Sequence, residues 1–331
     1  MRQFDYVRAA DLGDAVRALS GGAKLLAGGT TLYDLMKLRI EQPEHIVDIN
    51  HLSELKRFDT SGSSELVFGA LSRMSDVAAN PLLIRDYPAI SESLWRAASQ
   101  QLRNMASLGG NLLQRTRCPY FRGGEPYACN KREPGSGCAA IEGLDRGQAL
   151  LGMSHACSAV YPGDFAIALI AFDARVDLIG PRGERTISVE QLHREPGETP
   201  HIETTLGPDE IIVRIRVPVT QLGRASTYLK IRDRESYAFA LASAAVALEM
   251  DGDMVRDARV ALGGLATRPW RARGTERKLI GGPLNEQTAR DAGEAALEGA
   301  APGHSNAFRI ELGIRTVAEA LMTARKRGLT S

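Results

Sequence analysis

The chain has 331 residues, 44% of them apolar, which is enough for two or three domains with ordinary packed cores. Its 41 Lys and Arg residues and 40 Asp and Glu residues leave a formal charge of +1, so no overall basic field predicts a nucleic-acid partner. Nowhere do about eighteen apolar residues run together as in a membrane span, and the N-terminus lacks the apolar core of a signal peptide. We therefore expect a soluble protein that is not exported on its own, although an exported partner could carry it.

The N-terminal part alternates short helices and strands around a glycine turn. Asp11 can cap a first helix, and residues 24–27 predict a buried strand that runs into Gly-Gly-Thr-Thr at positions 28–31. A second helix follows, with Leu32 and Leu35 on its apolar face. Glycines let a ligand approach the backbone, and free N–H groups before a helix attract phosphate oxygens. A plain tight turn explains the same residues equally well, and neither the dinucleotide nor the P-loop glycine pattern occurs.

The rest of the chain continues as mixed helix and strand. Residues 75–100 predict mostly helix, and a second glycine pair follows in Ser-Leu-Gly-Gly-Asn at 107–111. Asp164 can cap a helix over residues 165–172. Further strands are predicted over residues 45–49, 65–70, 175–179, 210–218, 225–230, 240–249 and 254–262, and further helices from 285 onward, the last over 310–326. A polar connector at 221–224 marks a predicted domain boundary.

All four cysteines lie in one loop of about forty residues that is rich in Gly and Pro: Cys118, Cys129, Cys138 and Cys157. Two disulfides would need an oxidising route that no signal sequence supports. Zinc sites usually pair their ligands at shorter spacings than the ten, eight and eighteen residues that separate these cysteines. Four thiolates on an irregular loop also suit a [4Fe–4S] cluster. The spacing alone leaves the three alternatives open.

Four motifs occur in a characteristic order: Leu-Ala-Gly-Gly-Thr-Thr-Leu at 26–32, Ala-Ser-Leu-Gly-Gly-Asn at 106–111, Pro-Gly-Asp at 162–164, and Gly-Gly-Leu-Ala at 263–266 with Pro269 and Arg271-Ala272 beyond it. Together they resemble the FAD-binding subunit of the molybdenum hydroxylases, the group of xanthine dehydrogenase, aldehyde oxidoreductase and carbon monoxide dehydrogenase. The resemblance covers essentially the whole chain.

The cysteine loop is an insertion with respect to most of that group, whose members pass directly from the Gly-Gly-Asn turn to the acidic residue matching Asp164. The insertion is similar to the one in the FAD subunit of bacterial periplasmic aldehyde oxidoreductases, where it carries a [4Fe–4S] cluster. A cluster-bearing insertion also marks 4-hydroxybenzoyl-CoA reductase, but the flanking residues here are more similar to the aldehyde enzyme. The resemblance therefore favours the cluster over disulfides or zinc.

The resemblance implies an α+β fold. A PCMH-type FAD-binding domain, like that of vanillyl-alcohol oxidase, would span residues 1–222, in two lobes of about 1–55 and 56–222 with the iron–sulfur insertion at about 114–160. A C-terminal domain like that of the carbon monoxide dehydrogenase flavoprotein, an antiparallel sheet packed with helices, would span 223–331.

The function that the resemblance implies is electron transfer, with no catalytic side chain in this chain beyond flavin redox chemistry. Electrons from a molybdenum cofactor in a large subunit would pass through two [2Fe–2S] clusters in a small subunit to FAD here, and onward to an external acceptor. The three subunits would form a heterotrimer-type complex, periplasmic by co-export or else cytoplasmic. A xanthine dehydrogenase-like or hydroxybenzoyl-CoA reductase-like subunit, a free-standing FAD oxidoreductase and a zinc-stapled scaffold are the alternatives.

Matching the family motifs position by position implies the site residues. FAD would be bound by Lys24, Leu26, Ala27, Gly28, Gly29, Thr30, Thr31, Leu32, Tyr33 and Asp34 at the pyrophosphate, by Ser107, Leu108, Gly110 and Asn111 along the flavin, by Asp164 at the ribityl or ribose, by Ile187 at the cofactor edge, and by Lys230 near the isoalloxazine. The cluster would be held by Cys118, Cys129, Cys138 and Cys157.

Two of these positions carry an open alternative or a departure from the family pattern. Lys230 could also be a solvated lysine on an edge strand. Ala238 stands where many relatives carry an acidic residue, so Tyr237 could approach the flavin face instead. This departure weakens the inference of NAD as the acceptor, and quinones, artificial dyes and O2 stay open.

Overall fold

The computed structural model describes residues 1–329. The strands are β1 (Asp5–Arg8), β2 (Lys24–Leu26), β3 (His45–Asp48), β4 (Phe58–Asp59), β5 (Glu65–Gly69), β6 (Arg175–Gly180), β7 (Gly183–Ser188), β8 (Ile211–Pro218), β9 (Ser226–Ile231), β10 (Ala242–Asp251), β11 (Met254–Gly263) and β12 (Trp270–Arg271). The α-helices are α1 (Leu12–Ser20), α2 (Leu32–Lys37), α3 (Met74–Ala78), α4 (Pro81–Asp86), α5 (Pro88–Trp95), α6 (Gln100–Arg103), α7 (Leu108–Leu112), α8 (Pro119–Arg122), α9 (Phe165–Ala171), α10 (Val189–Leu192), α11 (Arg273–Leu279), α12 (Glu286–Ala296) and α13 (Phe308–Leu329).

The strands form three sheets. A parallel sheet in the order β1-β3-β2 is followed by an antiparallel sheet in the order β4-β5-β8-β6-β7 and by a second antiparallel sheet in the order β12-β11-β10-β9. The parallel sheet packs its apolar side with α1 and with Ile211 and Val213 of β8, so that the first two sheets share a core. The mixture of helices with mainly antiparallel sheets agrees with the predicted α+β class.

The C-terminal sheet is covered on both faces. Alternate residues of β10 face opposite cores: Ala245 and Ala247 pack with α5 and α9, whereas Val246 and Leu248 pack with α12 and α13. Burial on both faces explains why β10 is an almost unbroken apolar run. The hairpin from β10 to β11 turns at Gly252, whose φ of 59° suits glycine.

The region predicted to be mostly helical, residues 75–100, consists of short helices. Two of them begin at Pro81 and Pro88, because proline lacks the N–H that a helix interior needs but fits the first turn. The side chain of Asn80 accepts from the N–H groups of Leu82 and Leu83 and caps α4. In the described part of the chain, no helix is long and apolar enough to cross a bilayer.

The cysteine insertion has little regular structure besides α8. Side chains hold it together instead: the Arg132 guanidinium donates to the carbonyl oxygens of Tyr120, Phe121, Gly124 and Tyr127. The Asn130 carboxamide oxygen accepts from the N–H groups of Gly135 and Gly137. Such side-chain bonds satisfy backbone groups that a helix or sheet would otherwise pair.

The insertion packs against both neighbouring parts of the fold. Arg117 and Arg122 donate to the Asp34 carboxylate on α2, at 3.0 and 2.9 Å. On the other side, Asp145 accepts from the Ser305 N–H at 3.0 Å and from its hydroxyl. The buried Arg309 of α13 donates to backbone carbonyls of the insertion and of the C-terminal sheet: Arg146, Gln148, Leu241 and Gly264. The insertion is therefore clamped between α2 and the C-terminal helices.

Candidate functional site

The first glycine turn joins β2 to α2 and needs its glycines. A methyl group on Gly28 would lie 1.9 Å from the carbonyl oxygen of Met105, so only glycine allows the turn to touch the segment before α7. Gly29 has a φ of 73°, which disfavours other residues. This close contact brings the turn at residues 28–31 next to the second glycine turn.

The first turn also presents unpaired donors. In the described part of the chain, the backbone N–H groups of Gly28, Gly29, Thr30 and Thr31 donate to no protein acceptor. The side chain of Thr31, which precedes α2, makes no capping bond to the helix. Successive free N–H groups in a glycine turn bind phosphate oxygens well.

The second turn opens α7. The Ser107 hydroxyl accepts from the Gly110 N–H at 3.3 Å, and the Leu108 N–H donates to the carbonyl oxygen of Ser72 at 3.0 Å. The carboxamide oxygen of Asn111 is buried without a hydrogen-bond partner. A buried acceptor of this kind is costly unless a ligand or water satisfies it.

A cavity of about 400 Å³ lies between the two turns, within the usual range for small-molecule sites. The predicted FAD residues that line it are Lys24, Ala27, Gly28, Gly29, Thr30, Thr31, Leu32, Ser107 and Gly110. The cavity is also lined by the apolar residues Leu206, Ile211 and Ile212, which sequence reasoning missed because nothing local marks them. A second cavity, of about 490 Å³, borders the same turns on the side of Lys56 and Arg73.

Asp164 and Lys230 meet at the boundary between the FAD-binding part and the C-terminal sheet. The Lys230 ammonium lies 2.8 Å from one Asp164 oxygen, and the Tyr228 hydroxyl donates to the other at 2.6 Å. Burial raises the pKa of Asp164, and the Lys230 ammonium opposes that shift. The lysine side chain is 1% exposed, because α5 covers this edge strand, so the solvated alternative for Lys230 is wrong.

These contacts of Asp164 show that its predicted role as the cap of α9 is wrong. The Asp164 side chain makes no capping bond to the helix that follows it, because both of its oxygens are taken by residues of β9. Tyr228 was missed from the sequence. It alternates with Lys230 on one face of β9, and that two-residue spacing is the signal that could have found it.

The remaining predicted FAD residues lie outside the cavity wall. Asp34 faces the arginines of the insertion, Tyr33 is 56% exposed, and Leu108 is buried in the core. Ile187 lies in β7 beside Val176, partly buried against the core. Leu26 ends β2 and does not line the cavity, although its neighbours Leu25 and Ala27 do. Their contact with FAD stays a prediction.

The four cysteines come together although the sequence separates them by up to 39 positions. They line one small enclosed cavity with the ring of Phe121 and four alanines: Cys118, Cys129, Cys138 and Cys157. None of the four forms a disulfide. In the described residues, no three His, Cys, Asp or Glu side chains are grouped so as to hold a single metal ion.

The thiols of this cysteine cavity are surrounded by apolar groups and a few donors. Burial raises the pKa of Cys157 to about 11, and the nearby Lys131 ammonium opposes the shift. Burial likewise raises the pKa of Cys118, although N–H groups of Phe121 and Tyr120 and the Gln148 carboxamide point to its sulfur. Cysteines that line one cavity and receive N–H donors fit the thiolates of an iron–sulfur cluster, in which these donors stabilise negative sulfur.

Tyr237 is placed beside the insertion. Its φ is 55° and its side chain is 59% exposed. Arg234 lies over the Tyr237 ring, and Arg117 lies over the ring of Phe239, 4.9 Å from its centre. A flavin contact of Tyr237 stays a prediction.

The arrangement of these sites defines a class of protein. Two glycine turns face one cavity, and the N–H groups of the first turn are free. A buried carboxamide oxygen lacks a partner, and a separate cavity is lined by four cysteines. A phosphate-bearing cofactor with a polar ring system fits the first site, so the chain is a nucleotide-cofactor protein with a second, thiol-lined centre.

The family of the chain follows from its sequence matches. Residues 2–220 match the FAD binding domain in molybdopterin dehydrogenase, and residues 227–324 match the CO dehydrogenase flavoprotein C-terminal domain. The chain belongs to this family of FAD-binding subunits and is thus part of an oxidoreductase. The resemblance inferred from the four motifs is confirmed.

Similar proteins extend over nearly the whole chain. The aldehyde oxidoreductase FAD-binding subunit PaoB of Escherichia coli is 45% identical over 330 residues, 98% of this chain and 99% of that protein. The glyceraldehyde dehydrogenase medium chain of Sulfolobus acidocaldarius is 28% identical and covers 87% of this chain and 85% of its own length. A solved structure of carbon monoxide dehydrogenase from Hydrogenophaga pseudoflava, lacking the Mo-pyranopterin moiety of its cofactor, matches with a TM-score of 0.76 at 27% identity over 98% of both chains. The predicted fold is confirmed.

Proposed function

We propose that this chain is the FAD- and [4Fe–4S]-containing electron-transfer subunit of a molybdenum-dependent aldehyde oxidoreductase. A large subunit with the molybdenum cofactor and a small subunit with two [2Fe–2S] clusters would deliver electrons to FAD in this chain. FAD, when bound, would supply the redox chemistry that takes up the electrons of the two-electron oxidation and passes them to an external acceptor. The aldehyde pocket would belong to the large subunit.

The single observation that carries the proposal is the cavity lined by all four cysteines, Cys118, Cys129, Cys138 and Cys157. The alignment with the aldehyde oxidoreductase subunit runs over 98% of the chain, so the insertion lies within the shared length. Four thiols around one enclosed space suit a cluster of several atoms, because the ligands of such a cluster lie well apart from one another. A lone zinc ion would instead draw its ligands to one point about 2.3 Å away.

In this proposal the chain's own residues have separable tasks. The free N–H groups at residues 28–31 would bind the pyrophosphate of FAD. The unpaired carboxamide oxygen of Asn111 would accept a hydrogen bond from the flavin part of the cofactor. The Asp164 and Lys230 pair fixes the boundary of the two domains beside the cofactor. The apolar packing around the cysteines, with Phe121 fully buried, excludes water from the cluster.

The test is the cofactor content of the purified chain. Visible absorbance, with iron and acid-labile sulfide assayed on the same sample, should show flavin bands above a broad shoulder and about four irons per chain. Cys129→Ser should lower iron and sulfide, whereas Ala156→Ser, which adds the same hydroxyl to the same cavity wall, should keep them. Flavin without iron in the wild type, or unchanged iron in Cys129→Ser, would refute the cluster.

The substrate class needs the assembled complex. Co-expression with the proposed large and small subunits should give a complex that contains molybdenum and reduces a dye with aldehydes as electron donors. A complex that instead oxidises only purines or reduces an aromatic CoA thioester would assign the chain to another branch of the family. A chain that oxidises its own substrate without partners would make it a free-standing flavin oxidoreductase.

A further inference from the structure

A lysine with a mostly covered side chain lies at the cysteine cavity. Lys131 and Cys157 line the cavity together, and the lysine side chain is only 11% exposed. Its ammonium is held from the other side by the Glu203 carboxylate at 2.9 Å and by the carbonyl oxygen of Pro200 at 2.8 Å. The charge of Lys131 is therefore held at the wall of this cavity with little water to screen it, close enough to Cys157 to oppose the rise of that thiol's pKa.

Glu203 is itself held in place by a second cation. The Arg115 guanidinium lies 3.2 Å from Glu203 and 3.0 Å from Glu41, and its Nη2 approaches the carbonyl oxygen of Lys131 at 3.5 Å. Arg115 also lies over the ring of Phe121, 4.7 Å from its centre. Because Arg115 and Glu41 line the flavin cavity, a row of alternating charges runs from that cavity to the cysteine cavity.

A neutral side chain of similar length at position 131 could fill the same space, whereas the ammonium adds a positive charge at the wall of the cysteine cavity. A cluster held by four thiolates is negative overall, and adding an electron to it makes it more negative. A fixed neighbouring cation stabilises the reduced form, and a fixed anion destabilises it.

Given the proposed function, on which this step rests, we propose that Lys131 and Glu203 set the reduction potential of the cluster. Lys131 raises the potential through its position beside Cys157, and Glu203 limits that rise. The cluster is thereby made easier to reduce and becomes an electron-exchange partner of the flavin, rather than a structural staple of the insertion. Both residues act through the cluster ligands and are positioning residues.

The experiment is a redox titration of the full chain, with dithionite as reductant and the signal of the reduced cluster followed by electron paramagnetic resonance. Lys131→Met should lower the potential, with a reduction equilibrium constant at least tenfold smaller, which is 59 mV for one electron. Glu203→Gln should move the potential in the opposite direction. Lys278→Met, on an exposed lysine of α11 in the C-terminal domain, should leave it unchanged.

The opposite signs separate electrostatics from loosened packing, because a structural disturbance would not raise the potential in one variant and lower it in the other. Lys131→Arg keeps the charge and should restore a potential close to that of the wild type. If Lys131→Met does not assemble a cluster, Glu203→Gln decides by the direction of its shift.

Two failures are distinguishable. A wild-type chain without iron and sulfide would refute the proposed function. A chain loaded with iron whose potential is the same in the wild type, Lys131→Met and Glu203→Gln would leave the proposed function intact and overturn the role of Lys131.

Discussion

The buried pair of Asp164 and Lys230 allows a sharp test of what joins the two domains. We expect Lys230→Met to destabilise the chain, because methionine fills a similar volume but leaves the Asp164 carboxylate buried without its cation. The variant loses the 2.8 Å contact to Asp164 and the 3.1 Å bond to the carbonyl oxygen of Arg96. Removing one partner of such a pair costs about 3–5 kcal/mol.

A second variant separates the missing contact from the stranded charge. In the double variant Asp164→Asn, Lys230→Met the carboxylate is gone as well, while the Tyr228 hydroxyl still finds an acceptor at position 164. We expect the double variant to be more stable than Lys230→Met alone. The difference in unfolding free energy between these two variants, of about 2 kcal/mol or more, measures the penalty of the unpaired charge.

The pH dependence follows from the same residue. Burial raises the pKa of Asp164, and Lys230→Met removes the main opposing influence. A carboxyl whose pKa is higher in the folded chain than in the unfolded chain, about 4, holds its proton longer when folded. The unfolding free energy of the variant therefore falls, relative to the wild type, as the pH rises from that value toward the folded pKa.

The assay is urea unfolding of the flavin-free chain, followed by circular dichroism at about pH 5 and pH 8, so that cofactor binding adds nothing to the stability. The deficit of Lys230→Met should be larger at the higher pH. A loss of unfolding free energy below about 1 kcal/mol, or an equal loss at both pH values, would refute the argument that the unpaired Asp164 carboxylate destabilises the variant.

Three further changes test other parts of the structure. Gly28→Ala should lower the FAD content, because the new methyl would meet the carbonyl oxygen of Met105, whereas Gly147→Ala, with open space around it, should not; flavin release on denaturation measures both. Burial lowers the pKa of His193 from 6.5 to about 3, so the unfolding free energy should fall by about 1.4 kcal/mol per pH unit below 6.5, and less steeply in His193→Phe. Arg309→Met should cost about 3–5 kcal/mol in urea unfolding, because four carbonyl groups lose their donor.

Elements defined by local patterns could be predicted from the sequence. The alternation and the Asp-Gly-Asp turn predicted the β10 and β11 hairpin to within two residues at its ends, and Asn285 caps α12 where the helical stretch was expected to begin. The glycine pair at residues 28–29 predicted the close approach of a ligand, which stays a prediction; the structure shows that Gly28 is also needed for the contact with the backbone of Met105. Each of these signals depends on residues that are near in the sequence.

Partners that are distant in sequence could not be predicted. Asp34 has the position of a pyrophosphate-loop residue, but its carboxylate faces Arg117 and Arg122, more than eighty positions away. The exposure of Lys230 depends on α5 covering an edge strand, which the pattern of β9 does not encode. Side chains with long flexible stems find such partners only once the packing of separate elements is fixed.

The position of the insertion in the chain links the two proposed cofactor sites. It begins three residues after Asn111, at the end of the second glycine turn, and it ends just before Asp164. Both residues belong to the predicted flavin site, so the fold of the insertion fixes the path between them. The four cysteines bring separate parts of this segment together around one cavity. In the proposed function, cluster assembly would constrain the flavin site through the backbone. We therefore expect a chain that loses its iron through Cys129→Ser to bind FAD more weakly, although position 129 does not line the flavin cavity.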